Sequence, residues 1–222
     1  MHFEPPEKVI HTLKEFASHY AMIVISILTA LALEHIAVSW HHANEARRAK
    51  EEIEREIAEN RENFAGAIEA TAAREKIWGD LLQKSVEQAK SGKATTDEQV
   101  ELLQSAMDHY GDNTPPIKTS AWDAAIADQS VNYLGHADLE RYSQLYALLH
   151  MQYQALLANL NPAGATQNAS DIALALRLRK PDPAQTTRLL NWRVWLMHVV
   201  HSNLRQMKTA LDEAEQGKDA AK

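Results

Sequence analysis

The stretch AMIVISILTALALEHIAVSW, residues 21–40, decides the architecture of the chain. From Ala21 to Leu33 only Ser26 and Thr29 interrupt the apolar run; Glu34 and His35 then precede a second apolar run to Trp40. At ~1.5 Å rise per residue, the segment from Tyr20 to Trp40 covers about 30 Å, the hydrocarbon thickness of a bilayer. Tyr20 and Trp40 fall where aromatic rings prefer to lie, at the two interfaces. The stretch therefore predicts a membrane helix over residues 16–40, preceded by a tail over residues 1–15. The competing reading is a buried helix of a soluble protein, because the unbroken apolar run is shorter than a standard span. A cleaved signal peptide fits less well: no small-residue cleavage site follows the run, and the helical pattern continues past Trp40 without a break. The expectation is an uncleaved anchor.

The polar groups of this span are patterned. Ser26, Ala30, Glu34, Ala37 and His41 are spaced four, four, three and four apart and share one helical face. Met22, Ile23, Ile25, Leu28, Leu31 and Ile36 occupy the faces that suit lipid. Small residues allow helices to approach closely, and a carboxyl group in a bilayer prefers a protein partner to hydrocarbon. The face therefore reads as a membrane helix contact centred on Glu34. Its rival is that Glu34, six residues from Trp40, snorkels to the headgroups. The flanking charges, Lys8 and Lys14 before the span and Arg47, Arg48, Lys50 and Arg55 after it, place the long C-terminal part in the cytoplasm by a small margin.

Working outward, the rest of the 222-residue chain reads as soluble and helical. Apolar content of 45% and charged content of 24% belong to a globular protein, and the negative mean hydropathy argues against several spans. A formal charge of −7 disfavours a general nucleic-acid binder, which needs a basic face for phosphates. The chain has no cysteine, which excludes disulfides, thiolate metal sites and cysteine nucleophiles.

After Trp40, Ala46, Ala49, Ile53, Ile57, Phe64, Ile68, Trp78, Leu82 and Val86 recur near the 3.6 period, with Asn60 on the same face. This predicts one long helix leaving the membrane, ending at Ser91–Gly92–Lys93, and bent if anywhere near Gly66 or Gly79. Thr95 and Glu98 form a capping pattern for the next segment. Ser120 and Asp123 open a helix through SAWDAAIADQSVNYL, and Asp138 opens another with Leu139, Tyr142, Leu145, Leu149, Tyr153, Leu156 and Leu160 on one stripe. The stretch NPAGATQNAS, residues 161–170, reads as loop, followed by a short helix over residues 171–179. Asp182 caps and Pro183 opens a last helix to about Gln216, leaving residues 217–222 as a flexible tail. Its centre, LLNWRVWLMHVVHSNL, predicts a core of Trp192, Trp195, Leu196, Val199 and Val200. Residues 41–216 are thus expected to form a single helical-bundle domain.

Little in the chain points to chemistry. His198 and His201 lie three apart on one helix face and are the candidate metal ligands, without the glutamate and third ligand of zinc-protease patterns. His35, His41 and His42 cluster loosely at the membrane surface, where a haem or quinone site needs partners from another chain. There is no phosphate loop, no Gly-x-Ser-x-Gly elbow and no kinase motif set, and Asn168–Ala169–Ser170 is a formal glycosylation acceptor. The carboxylates Glu51 and Glu52 read as a solvated face. No catalytic residue and no cofactor is expected, and the chain reads as non-enzymatic.

Two stretches together resemble a group of uncharacterised bacterial single-pass membrane proteins. One is the span with its polar–Trp end running into an E-I-x-x-N helix, here Glu56, Ile57 and Asn60. The other is the T-S-A-W segment, here Thr119, Ser120, Ala121 and Trp122. The resemblance implies an inner-membrane anchor with a helical domain. Relatives carry a more basic N-terminal tail, implying a domain outside the cytoplasm; this chain departs from that.

The expected fold is all-α: an N-terminal transmembrane helix continuing into a long helix and an antiparallel helical-bundle domain. The expected partners are the lipid bilayer and a second copy or another membrane protein, with no nucleic acid. The favoured role is a membrane-tethered interaction or accessory protein of a bacterial inner membrane. A sensor-like ligand-binding bundle is the alternative and a metal or haem protein using His198 and His201 the third. The alternative requires a pocket with converging polar groups; the favoured role requires a filled core and an exposed apolar patch.

Overall fold

The computed structural model describes residues 13–92, 96–97, 100–101, 103–105, 114–160, 165–179 and 182–220. Every regular element among them is helical. The first, α1, runs unbroken from Leu13–Ser91, 79 residues and about 118 Å at 1.5 Å per residue. No proline interrupts it, and a side chain at Gly66 or Gly79 would meet open space, so neither glycine marks a close approach. The helix stops where Gly92 turns left-handed, with φ +63°, a conformation glycine adopts without a Cβ penalty.

The next described helix is α2, Ser120–Ala127, followed by a 3-10 turn, Ser130–Tyr133. The sequence pattern had suggested one helix through Leu134. The break comes at Gln129, held at φ 66°, after Asp128 turns its carboxylate back to accept the Ser130 N–H at 2.9 Å. That hydrogen bond also holds the Asp128 carboxyl below its ordinary range. Then follow α3, His136–Leu160, α4, Ala165–Arg177, and α5, Pro183–Ala220. Residues 165–170, expected as loop, form the first turns of α4. The polar side chains of that stretch do not prevent a helix, and only Pro162 and Gly164 resist one. Asp182 caps α5 as expected, accepting the Ala184 N–H at 3.1 Å, with Pro183 in the first helical position. The helix continues to Ala220, past the boundary expected at residue 216. Thr95 and Glu98 lie outside the described residues or their described side chains.

The packing has a clear sense. Along α1, contacts to α5 run backwards: Ser85 meets Thr187, Glu75 meets His198 and His201, and Arg61 meets Asp212 and Glu215. Along α3 they run forwards: Lys50 meets Asp138 and Glu56 meets Tyr146. Hence α5 is antiparallel to α1, and α3 is parallel to α1. Between them lies a core of Ile53, Phe64 and Trp78 from α1, Tyr142, Leu149 and Leu156 from α3, and Leu190, Leu196, Met197, Leu204 and Met207 from α5. Of the α3 stripe read from the sequence, Tyr142, Leu145, Leu149 and Leu156 are buried and Leu139 and Tyr153 half-buried; the Leu160 side chain lies outside the described ones.

The core of α5 differs from expectation. Leu196 and Val200 are buried and Trp192 and Val199 half-buried, but Trp195 is 50% exposed. Apolar residues wrap most of the circumference of this segment, so periodicity cannot say which side turns inward. The inward side carries Leu189, Leu190, Leu196, Met197 and Val200, and Trp195 lies off it. The tryptophan at the heart of the molecule is Trp78, 1% exposed.

Candidate functional site

The first site candidate is the apolar segment. Among the described residues one helix is long and apolar enough to cross a membrane, and its apolar window buries nothing against the rest of the chain. Tyr20, Met22, Ile25, Leu28, Leu33, Ile36 and Trp40 all stand exposed, and the first buried side chain of α1 is Ala49. A soluble core helix would be covered. Ser26, Ala30, Glu34, Ala37 and His41 are exposed too. The Ser26 hydroxyl donates to the Met22 carbonyl at 2.8 Å and Thr29 to Ile25 likewise, so both hydroxyls are satisfied within the helix, as lipid requires. His41 turns to Glu45 at 3.0 Å.

The second candidate joins the two motifs that carry the resemblance. Asn60 is fully buried; its amide donates to the Lys118 carbonyl at 2.8 Å and accepts the Lys118 N–H at 2.9 Å. One turn earlier, Glu56 is only 5% exposed and accepts three hydrogen bonds, from the Tyr146 hydroxyl at 2.7 Å, the Ser120 hydroxyl at 2.8 Å and the Ala121 N–H at 2.8 Å. A carboxylate at the start of α2 is also favourably placed against that helix's dipole. Trp122 then stacks on Tyr146, ring centroids 5.4 Å apart and nearly coplanar. Burial and the hydrogen bond to Glu56 push the Tyr146 hydroxyl far above its ordinary range. The E-I-x-x-N and T-S-A-W elements are thus two halves of one clasp that fastens residues 118–122 to α1. Its polar groups partner one another.

The third candidate is a groove between α1 and α5, where α3 adds Leu148. His198 and His201 point Nδ1 at the two oxygens of Glu75, 3.2 Å and 3.1 Å away. Partial burial pushes the Glu75 carboxyl up, and the hydrogen bonds to His201 and His198 outweigh it, so the carboxyl ionises below its ordinary value. An open groove of about 550 Å³ runs from this cluster past Ser202, Arg205 and Thr209. A second of about 450 Å³ runs past Trp192 and Trp195 on the other side of His198. Among the described residues no group of three or more His, Asp and Glu side chains is arranged to hold a metal ion. What the cluster offers is a carboxylate that binds imidazoles from the facing helix. Comparison with protein-family models, with curated proteins and with solved structures yields no match.

Glu56 and Glu75 went unassigned in the sequence. Both interrupt the apolar stripe of α1, which runs through Ile53, Ile57, Asn60, Phe64, Thr71 and Trp78. That interruption was the available signal, since a polar residue on a core-facing stripe needs a partner.

Proposed function

We propose that this protein is a membrane-tethered, non-enzymatic interaction or accessory protein of a bacterial inner membrane, belonging with the single-pass proteins its two motifs resemble. Its domain is read as an antiparallel helical bundle built on the half of α1 that leaves the bilayer. One observation carries the reading: a single unbroken helix is bare and apolar over its first part and forms a wall of the packed core over its second. Such a helix ties whatever binds in the bilayer to the position of the domain outside it. The binding surface in the membrane is the face of Ser26, Ala30, Glu34, Ala37 and His41, and its partner is a second copy or another membrane protein. The resemblance favours the periplasm for the domain, and the flanking charge favours the cytoplasm.

Crosslinking in native membranes tests this. Glu34→Leu together with Ala30→Leu removes a polar contact and blocks close approach, so crosslinked product should fall. Leu28→Ala, on the lipid face, should leave it unchanged. Polar contacts between membrane helices contribute ~0.6 kcal/mol and at most about 2, so association weakens without vanishing. Equal yields from both variants and the parent would mean that Glu34 only snorkels.

The groove beside Glu75, His198 and His201 favours a second reading, a domain that senses a small polar ligand. It gains support if a ligand that raises the melting temperature loses its effect in His201→Ala.

A further inference from the structure

The turn that follows α2 lies against α1 at a height that the span itself sets. Trp40, 71% exposed, is the last aromatic of the apolar segment. His42 is two residues on, ~3 Å further along the axis. The headgroup layer outside a ~30 Å hydrocarbon core is about 5–8 Å deep on each side, so His42 lies within it. The His42 ring stacks on Tyr133, centroids 3.9 Å apart and 11° from parallel. Tyr133 therefore sits at the same height, although it is 91 residues away in sequence.

The turn cannot swing clear of this position easily. Ser130 is buried beneath it and tied to Asp128 and to the Ala125 carbonyl, and Leu134 and Val131 pack on the core. Lys50 on α1 holds Asp138 at the start of α3, and Arg141 adds a second contact to the same carboxylate. What the turn exposes is Gln129, Asn132, the ring of Tyr133, Gly135 and His136. An amphipathic ring among short polar groups is the composition that settles at a membrane–water interface.

We infer that residues 129–136 form a second membrane contact, a turn that lies in the phospholipid headgroup layer beside the exit of α1 and fixes the angle of the domain to the bilayer. This rests on the reading of α1 as a membrane span. A lipid surface is the occupant because the height of the turn follows from the position of Trp40, whereas a protein partner would have to share that layer with the headgroups.

The absence of cysteine allows clean single labels on the full chain. Asn132→Cys, Leu28→Cys and Lys84→Cys would each carry an environment-sensitive fluorophore in vesicles of phosphatidylcholine and phosphatidylglycerol. Nitroxides placed on the headgroup or deep on the acyl chain then report depth. Leu28 should be quenched most by the deep nitroxide, and Lys84, about 66 Å beyond Trp40 along the helix, by neither. Asn132 should be quenched by the headgroup nitroxide at least about threefold more than Lys84. His136→Cys, four residues on, should fall between them and keeps the test decisive if a label at 132 disturbs the turn. If positions 132 and 136 behave like Lys84 while Leu28 responds, the turn stands off the bilayer and the inference fails alone. If Leu28 is also blind to lipid nitroxides, the membrane reading of α1 fails and takes the inference with it.

Discussion

Removing the Asn60 side chain should loosen the T-S-A-W segment from α1 by an amount the structure allows us to work out. Asn60→Ala deletes two hydrogen bonds, 2.8 Å and 2.9 Å, and leaves the N–H and the carbonyl of Lys118 without their partner. Each such bond contributes about 1 kcal/mol net, and a buried orphan costs more, about 1–3 kcal/mol. Lys118 itself is exposed, so water can reach its backbone once the segment relaxes, and the lower values apply. Adding the space left at a fully buried position gives a loss of about 2–3 kcal/mol. For a domain of this size that lowers the melting temperature by roughly 5–10 °C.

Glu56→Ala should cost more, about 3–5 kcal/mol, because it strands the Tyr146 hydroxyl, the Ser120 hydroxyl and the Ala121 N–H together. Glu56→Gln keeps an acceptor for two of these donors and lets Tyr146 accept from the amide, so it should fall well short of the alanine variant. Both residues hold the same five-residue segment. Once either is gone, the other has less ordered structure to hold, and the double variant should cost less than the sum, by at least about 0.5 kcal/mol. Thermal melts of the full chain in detergent measure the totals, and hydrogen exchange at the Ala121 amide measures the local opening. Glu59→Ala, which removes only the exposed contact to Lys118, serves as the control and should leave the melt unchanged. An Asn60→Ala protein that melts within 1 °C of the parent, or single costs that simply add, would refute the clasp.

Trp78→Ala should lose about 3–5 kcal/mol, whereas Trp195→Ala, half exposed on α5, should change stability by no more than about 0.5; similar melting shifts for the two would show the core is misplaced. Because the Glu75 carboxyl ionises below its ordinary value of 4.5, its stabilisation is present above that value and lost as pH falls through the lower folded one. Glu75→Gln should therefore be less stable than the parent at pH 7 and should flatten the stability curve below pH 4.5; denaturant titrations from pH 3 to 7 that superimpose would contradict the cluster. Removing residues 1–44 should leave a soluble, helical remainder, since the first buried side chain of α1 is Ala49; recovery as unfolded aggregate would place the apolar segment in the core.

The legible parts of the chain are those where period and composition agree. Residues 21–33 carry no charge, so their length and composition could be read directly as a candidate span. Ile53, Ile57, Asn60, Phe64 and Trp78 fall at helical spacing with charged residues between them, so their inward face could be read directly. The same test fails on α5. With Leu189, Leu190, Trp192, Val194, Trp195, Leu196, Met197, Val199 and Val200 in one run, apolar side chains point in almost every direction, and only the position of α1 and α3 decides that Trp195 stays out. Residues 165–170 were illegible for a different reason. Asn, Ser and Thr lean toward turns, but that preference is weak, and the alanines and Gln167 among them favour a helix.

The clasp shows where a sequence reading has more to give than period alone. Glu56 and Glu52 are four apart on α1 and look like a repelling pair on a charged helix. Yet Glu52 is exposed and Glu56 is buried, because Glu56 lies one turn from a fully buried residue on either side, Ile53 before it and Asn60 after it. A carboxylate placed there cannot stay unpartnered in the folded chain, since burying it alone costs far more than any surface repulsion. The chain must therefore bring donors to it, and they come from Ser120 and Ala121 and from Tyr146 on α3. Seen this way, the interruption of an apolar stripe by Glu56 and Asn60 is a statement about a distant segment: it requires that a length of irregular backbone return to this turn of α1. The Lys118 amide and carbonyl meet that requirement at Asn60, and the Ser120 hydroxyl, the Ala121 N–H and the Tyr146 hydroxyl meet it at Glu56.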